Sequence, residues 1–234
     1  MKNQYFADQT DYIKYGLLRA FAAEGLKTAV CWMLTPDDDR SDGNLTSYLE
    51  NPKEWRDFDP EIFDHLATAV RSGDRTVEVV ERERFVPGAV FETRLLTDST
   101  EEREAFFREL RQLVSGRDVV FFDPDNGLEV ASTAYGRRGS SKYLYWREVQ
   151  DEAVKDRGLL IYQHFPRVAR EAYISQRAQE LLERTGRQLV LAAQTSQVVF
   201  FFSPGAETLE AGKRALRRFE ETWRPHVKLS IHRK

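Results

Sequence analysis

The sequence predicts a three-layer α/β domain, in which helices cover both faces of a mostly parallel sheet that ends in an antiparallel hairpin. Three observations carry this prediction: apolar runs of strand length, amphipathic stretches between them, and one very short connection near residue 196. Most of the runs are continuously apolar rather than alternating, which is typical of strands covered on both faces. Strands that alternate with amphipathic helices favour a parallel sheet.

The predicted strands differ in how they are connected. The runs 188–194 and 198–203 are joined by Thr195-Ser196-Gln197, which is too short for a parallel crossover, so these two strands are expected to be antiparallel neighbours. The other predicted strands are 28–34, 76–80, 118–123, 158–165 and 226–232.

Helix starts are marked by capping residues. Asp59 followed by Pro60 predicts the start of a helix that carries a periodic apolar face. Ser99 with Glu102 three residues later is a capping-box pattern and predicts a second start. Further helices are predicted over 168–184 and 207–222, and after Thr10 as a cap.

Composition restricts the class of protein. The 234 residues suit one domain spanning 1–234, and 35 basic against 38 acidic residues give a net charge of −3, which excludes a globally basic nucleic-acid coat protein. The only cysteine, Cys31, excludes an intramolecular disulfide framework. No apolar run approaches the roughly 20 residues of a membrane helix, so we expect a cytoplasmic protein.

Basic residues gather in two segments. Eight of them lie between Lys213 and Lys234, against two acids. The glycine-rich run 133–142 carries Arg137, Arg138 and Lys142, and Tyr145 and Trp146 follow it. Arginines on such a loop suit phosphate contacts and aromatic rings can stack on bases, so these five residues are candidate substrate contacts. The alternative is a surface loop followed by aromatic residues that anchor a helix.

The most specific motif follows the predicted strand 118–123. Asp123, Pro124, Asp125 and Asn126 come at its carboxyl end, where open parallel sheets bind ligands, and Glu129 lies just beyond. Asn126-Gly127 is also a common turn dipeptide, so a strand-terminating turn is the alternative. A turn requires neither Asp123 nor Glu129, and the motif therefore favours a reaction centre.

His164 follows another predicted strand, with Arg167 close behind. A histidine at that position is a candidate acid, base or metal ligand, and a structural histidine is the alternative. Arg167 is a candidate substrate contact.

Four aspartates crowd the loop after the first predicted strand. They are Asp37, Asp38, Asp39 and Asp42. Three accounts are open: a solvated loop, a cofactor site, or a magnesium or manganese site. In the last case Asp37 and Asp39 would bind the metal together with Asp123 and Glu129, which would suit phosphodiester chemistry.

Three segments together resemble the class I, Rossmann-like methyltransferases that use S-adenosylmethionine, and among them the bacterial large-subunit ribosomal RNA adenine-N6 methyltransferases. The opening 5–18, with Asp11 and Lys14 three apart, is similar to that family's Asp-x-x-Lys segment near the cofactor. The stretch 121–129 stands where the family has Asp-Pro-Pro-Tyr. The run 159–167, the helix after it and the hairpin 188–203 resemble the family's ending. Asp125 and Asn126 replace the second proline and the aromatic residue, and the glycine-rich cofactor turn is replaced by the aspartate loop.

The resemblance implies a Rossmann-like fold and a nucleic-acid methyltransferase. Asp123 and Asn126 would then orient the target amino group, while Asp11, Lys14 and the aspartate loop, with Asp37 and Asp39, would surround S-adenosylmethionine. Two alternatives are a metal-dependent phosphodiesterase on the same fold, using these carboxylates with His164, and a binding subunit for nucleic acid or a protein partner that has lost its activity. We expect RNA or DNA as the partner in the two enzymatic cases.

Overall fold

The computed structural model describes residues 1–37 and 45–234, and within them the main sheet has seven strands. With two short strands of a second sheet included, the strands are β1 (Thr28–Cys31), β2 (Val90–Glu92), β3 (Val119–Phe122), β4 (Gly127–Leu128), β5 (Tyr143–Leu144), β6 (Gly158–His164), β7 (Leu189–Gln194), β8 (Val198–Ser203) and β9 (Lys228–Arg233). The α-helices are α1 (Gln9–Ala23), α2 (Pro52–Trp55), α3 (Pro60–Ser72), α4 (Glu78–Arg82), α5 (Thr100–Leu113), α6 (Trp146–Ala153), α7 (Arg170–Thr185) and α8 (Leu209–Thr222).

The main sheet is mixed, with strand order β2-β1-β3-β6-β8-β7-β9. The pairs β1–β2, β1–β3 and β3–β6 are parallel, whereas β6–β8, β8–β7 and β7–β9 are antiparallel. The predicted hairpin is therefore present. After β1 the chain moves outward to β2 and then returns to the other side of β1 to form β3. Such a reversal leaves a crevice at the carboxyl ends of the two strands that flank it.

Successive residues of the central strands point to opposite faces of the sheet. Along β3, Val119 and Phe121 belong to one hydrophobic cluster, and Val120 and Phe122 to another. Helices α1, α3 and α8 supply buried residues to the first cluster, and α5, α6 and α7 to the second. This explains why the strands are continuously apolar in sequence.

Two of the three predicted helix caps are confirmed. Asp59 accepts a hydrogen bond from the backbone N–H of Ile62, and Ser99 accepts one from Glu102. At α1 the prediction was wrong by one half turn: the cap is Asp8, whose carboxylate accepts from the N–H of Asp11 at 2.8 Å, and Thr10 lies inside the helix. Asp8 is a stronger cap than threonine and precedes it by two residues.

The predicted strand 76–80 is wrong. Val79 and Val80 lie in α4 and are buried in the same hydrophobic cluster as α1 and α3, so packing overrides the strand propensity of β-branched residues. The strand that pairs with the outer side of β1 is instead β2, which is only three residues long. No helix within the described ranges is both long and apolar enough to span a membrane.

Candidate functional site

Three strand ends meet at one edge of the sheet. The register pairs Cys31 with Phe122 and Phe122 with Ile161, and the N–H of Asp123 donates to the carbonyl of Cys31 at 3.0 Å. The residues that follow β1, β3 and β6 therefore emerge side by side. This edge contains the crevice between β1 and β3 and is the candidate site.

A buried ammonium group joins helix α1 to the loop after β3. The Nζ of Lys14 lies 2.7 Å from the Oδ1 of Asp11 and 2.7 Å from the Oδ2 of Asp123, and all three side chains are at most 3% exposed. The hydroxyl of Tyr15 donates to Asp11 at 3.2 Å. Lys14 also lies 5.5 Å from the ring centre of Tyr162. Residues far apart in sequence thus form one charged cluster at the edge of the sheet.

The cluster around Lys14 contains more negative than positive charge. The buried Asp11 and Asp123 and the half-buried Asp8 supply three carboxylates against the ammonium group of Lys14, while the nearby amino group of Met1 is paired with Asp125. Burial, followed by the charge of Asp11, raises the pKa of Asp8 to about 8. Burial also raises the pKa of Asp11, although Lys14 opposes that rise. The pKa of Lys14 is raised, because the two carboxylates outweigh its burial. At neutral pH Asp8 therefore keeps its proton in most molecules.

Asp125 is also held inside the protein. Its Oδ1 lies 2.5 Å from the amino group of Met1, and its Oδ2 accepts a hydrogen bond from Thr35 at 2.8 Å. The same amino group donates to the carbonyl of Asp123 at 2.9 Å. Two of the predicted catalytic carboxylates, Asp123 and Asp125, are thus engaged in internal ion pairs that position the loop.

Asn126 is the exposed member of this loop, and Gln163 holds the loop in place. The Gln163 side chain accepts from the N–H of Leu128 at 2.8 Å and donates to the carbonyl of Asn126 at 2.9 Å. Gly127 between them has φ +108°, and an added Cβ would lie 2.2 Å from Gln163. The Asn126 side chain has no hydrogen-bond partner among the described residues and is free to contact a ligand. Sequence reasoning missed the anchoring role of Gln163, although a glutamine inside an apolar strand was a signal for it.

A cavity of about 760 Å³ opens between this loop, the end of β6 and helix α7. The exposed His164 lies on its rim and also lines a neighbouring cavity of about 570 Å³, together with Arg167. His164 and Asn126 therefore face the same space, as the sequence predicts for residues that follow neighbouring strands.

The glycine-rich loop 136–142 is bound by a carboxylate of the protein itself. The carboxylate of Asp98 accepts from the N–H groups of Gly139 and Ser141, both at 2.7 Å, and from the hydroxyl of Ser140. These hydrogen bonds lower the pKa of Asp98 although its partial burial opposes ionisation. The N–H groups of Gly139 and Ser141 are thus occupied. The side chains of Arg137 and Arg138 are exposed and that of Lys142 is half-buried, so the two arginines are the more accessible for a phosphate contact.

The predicted stacking role is corrected for Tyr145. Its ring is 4% exposed and packs 5.0 Å from the guanidinium of Arg103, and its hydroxyl donates to the carbonyl of Thr133. Trp146 is 7% exposed and belongs to the core, although its edge lines the larger cavity. Tyr143, half-buried at the same cavity, is the aromatic residue better placed to stack on a base.

A buried arginine organises this whole region. Arg103 binds the carboxylate of Glu148 through two hydrogen bonds, at 2.6 and 2.9 Å, and donates to the carbonyls of Ser140 and Tyr143. Sequence reasoning missed this pair, although Arg103 lies on the apolar face of α5, three residues before Phe106.

The three alternative metal ligands that lie in the described residues, Asp37, Asp123 and Glu129, are not brought together. Asp37 is exposed and accepts from the N–H of Gln4, Asp123 is paired with Lys14, and Glu129 accepts from the N–H of Trp146. Asp38, Asp39 and Asp42 lie outside the described residues. Within residues 1–37 and 45–234, no three histidine, cysteine, aspartate or glutamate side chains are grouped so as to hold a metal ion.

Comparisons with known proteins identify no family. No protein-family model matches the chain, and no curated protein matches it. Among solved structures, the chain is similar to a Legionella pneumophila str. Philadelphia 1 protein described under the family model DUF519, with 10% identity, a TM-score of 0.46 and 97% of each chain covered.

Proposed function

We propose that the protein is a methyltransferase that uses S-adenosylmethionine and acts on nucleic acid, on a Rossmann-like three-layer fold. The observation that carries the proposal is the excess of carboxylates around Lys14, at the crevice between β1 and β3: Asp11 and Asp123 are buried and Asp8 is half-buried. A crevice of this kind is where open α/β sheets bind their ligands.

The donor set of the crevice fits a cationic ligand. Burying carboxylates without compensating positive charge is costly, so a cation that enters the cluster around Lys14 is favoured. S-adenosylmethionine carries a sulfonium and an ammonium group, and when bound it supplies an activated methyl group. Asp8 and Asp11 would hold its positive groups, and the exposed Asp37 lies on the same strand exit.

The residues available to a target base are those that face the cavity of about 760 Å³. The side-chain carbonyl of Asn126 would accept a hydrogen bond from the target amino group, and Tyr143 would stack on the base. Asp123 acts through its ion pair with Lys14 by holding the loop in position. Its assigned role is therefore positioning, whereas Asn126 makes the contact. His164 lies on the cavity rim and would accept a proton from the methylated amine.

Titration calorimetry with S-adenosylmethionine tests the proposal. We expect saturable binding to the wild-type chain, and a 10- to 100-fold weaker affinity (roughly the loss of one charge-assisted contact) in Asp8→Asn. Asparagine caps helices as well as aspartate, so α1 should stay intact. The matched control is Asp151→Asn, which removes an exposed carboxylate from α6 and should leave the affinity within about twofold.

Absence of saturable binding to the wild-type chain contradicts the proposal. A parallel titration with manganese identifies the main competitor: metal binding without S-adenosylmethionine binding would favour the phosphodiesterase. If neither binds, the protein is better described as a binding subunit.

A further inference from the structure

We propose that a continuous groove along the carboxyl edge of the sheet, from Lys228 to Tyr143, binds a single-stranded segment of nucleic acid and leads it past Asn126. The choice of nucleic acid as the ligand rests on the proposed function. The inference itself concerns binding of the strand and not methyl transfer.

The groove consists of three adjoining cavities. The first, of about 290 Å³, extends from Lys228 and shares Arg170 and Ser196 with the second. The second, of about 570 Å³, shares His164 and Pro166 with the third, of about 760 Å³. The shared residues place the three cavities next to one another along the ends of β7, β8 and β6.

The first two cavities are basic. Lys228, Arg167 and Arg170 line them, and their described walls contain no acidic side chain. Arg170 packs 5.5 Å from the ring centre of Phe165. Among the described residues, the one ion pair of Lys228 is with Glu171, at 3.9 Å between two exposed side chains. Such a pair contributes little in water, so this part of the groove keeps a positive charge that suits phosphate groups.

The third cavity has a different character. It is lined by the aromatic rings of Tyr143, Trp146 and Tyr173 and by acidic as well as basic side chains. Arg177, 7% exposed, also lines it, and its Nε is buried without a hydrogen-bond partner. Aromatic faces with free polar groups suit a base rather than a phosphate.

The order of these two environments favours a single strand. A phosphate-binding stretch that leads into a cavity for bases can be used only by a chain whose bases are unpaired, because a duplex keeps its bases stacked inside. The groove also adjoins the candidate cofactor site. Gln197, which lines the second cavity, accepts a hydrogen bond from Thr10 of α1, and Asn126 lines the third.

Fluorescence anisotropy with labelled oligonucleotides of about 12 nucleotides, RNA and DNA, single-stranded and duplex, tests the proposal on the full chain. We expect single strands to bind more tightly than the duplex. The variant Arg167→Ala/Arg170→Ala/Lys228→Ala should bind at least about tenfold more weakly, and the slope of log K against log salt concentration should become shallower by about 2, the value for three lost phosphate contacts.

The matched control removes three exposed basic residues away from the groove, as Lys27→Ala/Arg71→Ala/Arg108→Ala, and should change the affinity less than twofold. Tyr143→Ala should weaken binding at least fivefold and Tyr143→Phe should not, because phenylalanine keeps the stacking face. The RNA and DNA arms decide which nucleic acid is preferred.

Three results would overturn the inference: equal losses in the two triple variants, preference for the duplex, or equal competition by polyglutamate, which would indicate an acidic protein partner. The assay contains no S-adenosylmethionine. If calorimetry finds no cofactor binding while the groove binds single strands, only the proposed function fails. If the cofactor binds but the groove does not bind single strands, only the groove proposal fails.

Discussion

The molecule contains two buried charged networks that differ in their charge balance. In the first, Arg103 faces Glu148 in a one-to-one pair, and the remaining arginine donors reach backbone carbonyls. In the second, Lys14 faces the carboxylates of Asp8, Asp11 and Asp123. A balanced and fully bonded network needs no ligand. In an unbalanced network at strand ends, carboxylates without a counter-charge raise the free energy, and binding of a cationic ligand lowers it.

The two networks also differ in location. Arg103 and Glu148 lie between α5 and α6 and hold the loop 136–142 in place. The Lys14 cluster lies at the crevice between β1 and β3, where the chain reverses its direction across the sheet. The Arg103 network therefore has a structural role, whereas the role proposed for the Lys14 cluster is to bind a ligand.

The largest expected effect comes from breaking the balanced pair. Arg103→Leu leaves the carboxylate of Glu148 buried and unpaired and removes two bonds to backbone carbonyls, so we expect a loss of about 3–5 kcal/mol in the free energy of unfolding. Urea denaturation followed by circular dichroism measures it. The double variant Arg103→Leu/Glu148→Leu should recover much of the loss, since no charge is then left alone. A single-variant loss below about 1 kcal/mol would contradict the structural role.

A smaller loss of stability is expected from Lys14→Met, with a stronger effect on ligand binding. Without the ammonium group, the buried carboxylates of Asp11 and Asp123 lose their partner, so we expect a loss of about 2–3 kcal/mol at pH 8. Burial already raises the pKa of Asp11, and Lys14 no longer opposes that rise, so the loss should be smaller at pH 5. Urea denaturation at the two pH values measures it. Calorimetry should find weaker S-adenosylmethionine binding, because a protonated Asp11 no longer attracts a cation and Asp123 loses the partner that positions its loop. If a folded Lys14→Met protein binds the cofactor with unchanged affinity, Lys14 does not contribute to the binding site.

The smallest effect has the opposite sign and separates the two networks most clearly. Folding raises the pKa of Asp8 from 3.8 to about 8, so the folded protein holds a proton that the unfolded chain has lost. The contribution of Asp8 to stability therefore becomes less favourable as pH rises from about 4 to about 8.

Asp8→Asn removes this contribution. The variant should be more stable than the wild type by at least about 1 kcal/mol at pH 8 and nearly equal to it at pH 4, while it binds S-adenosylmethionine less tightly. Urea denaturation across this pH range measures the difference. Glu148→Gln should instead destabilise the protein, since it weakens a balanced pair. If Asp8→Asn is less stable than the wild type at pH 8, the negative charge of Asp8 does not destabilise the folded protein.

Local patterns were sufficient for much of the fold. The caps at Asp59 and Ser99 and the hairpin 188–203 follow from residues close together in sequence, and all three are present. The strand prediction at 76–80 failed because the valines there are buried by helices α1 and α3, which no local pattern reveals.

The candidate site was predictable only in outline. Polar residues after buried strands indicated that Asp123, Asn126 and His164 would emerge at one edge, because neighbouring parallel strands end together. Their different roles were not predictable. Asp123 is paired with a lysine 109 positions away, whereas Asn126 is exposed beside the cavity.

By itself, the sequence determined the α/β class, the helix starts marked by strong caps and the strand ends where polar residues collect, since these depend on periodicity and backbone chemistry over a few residues. The tertiary structure alone decided which charges are balanced. Lys14 pairs with Asp123, Arg103 pairs with Glu148, and Asp98 accepts hydrogen bonds from two backbone N–H groups of the loop 136–142. Charge balance depends on which residues lie close together in the folded protein. In the interior an unpaired charge is costly in free energy, because little water remains to screen it.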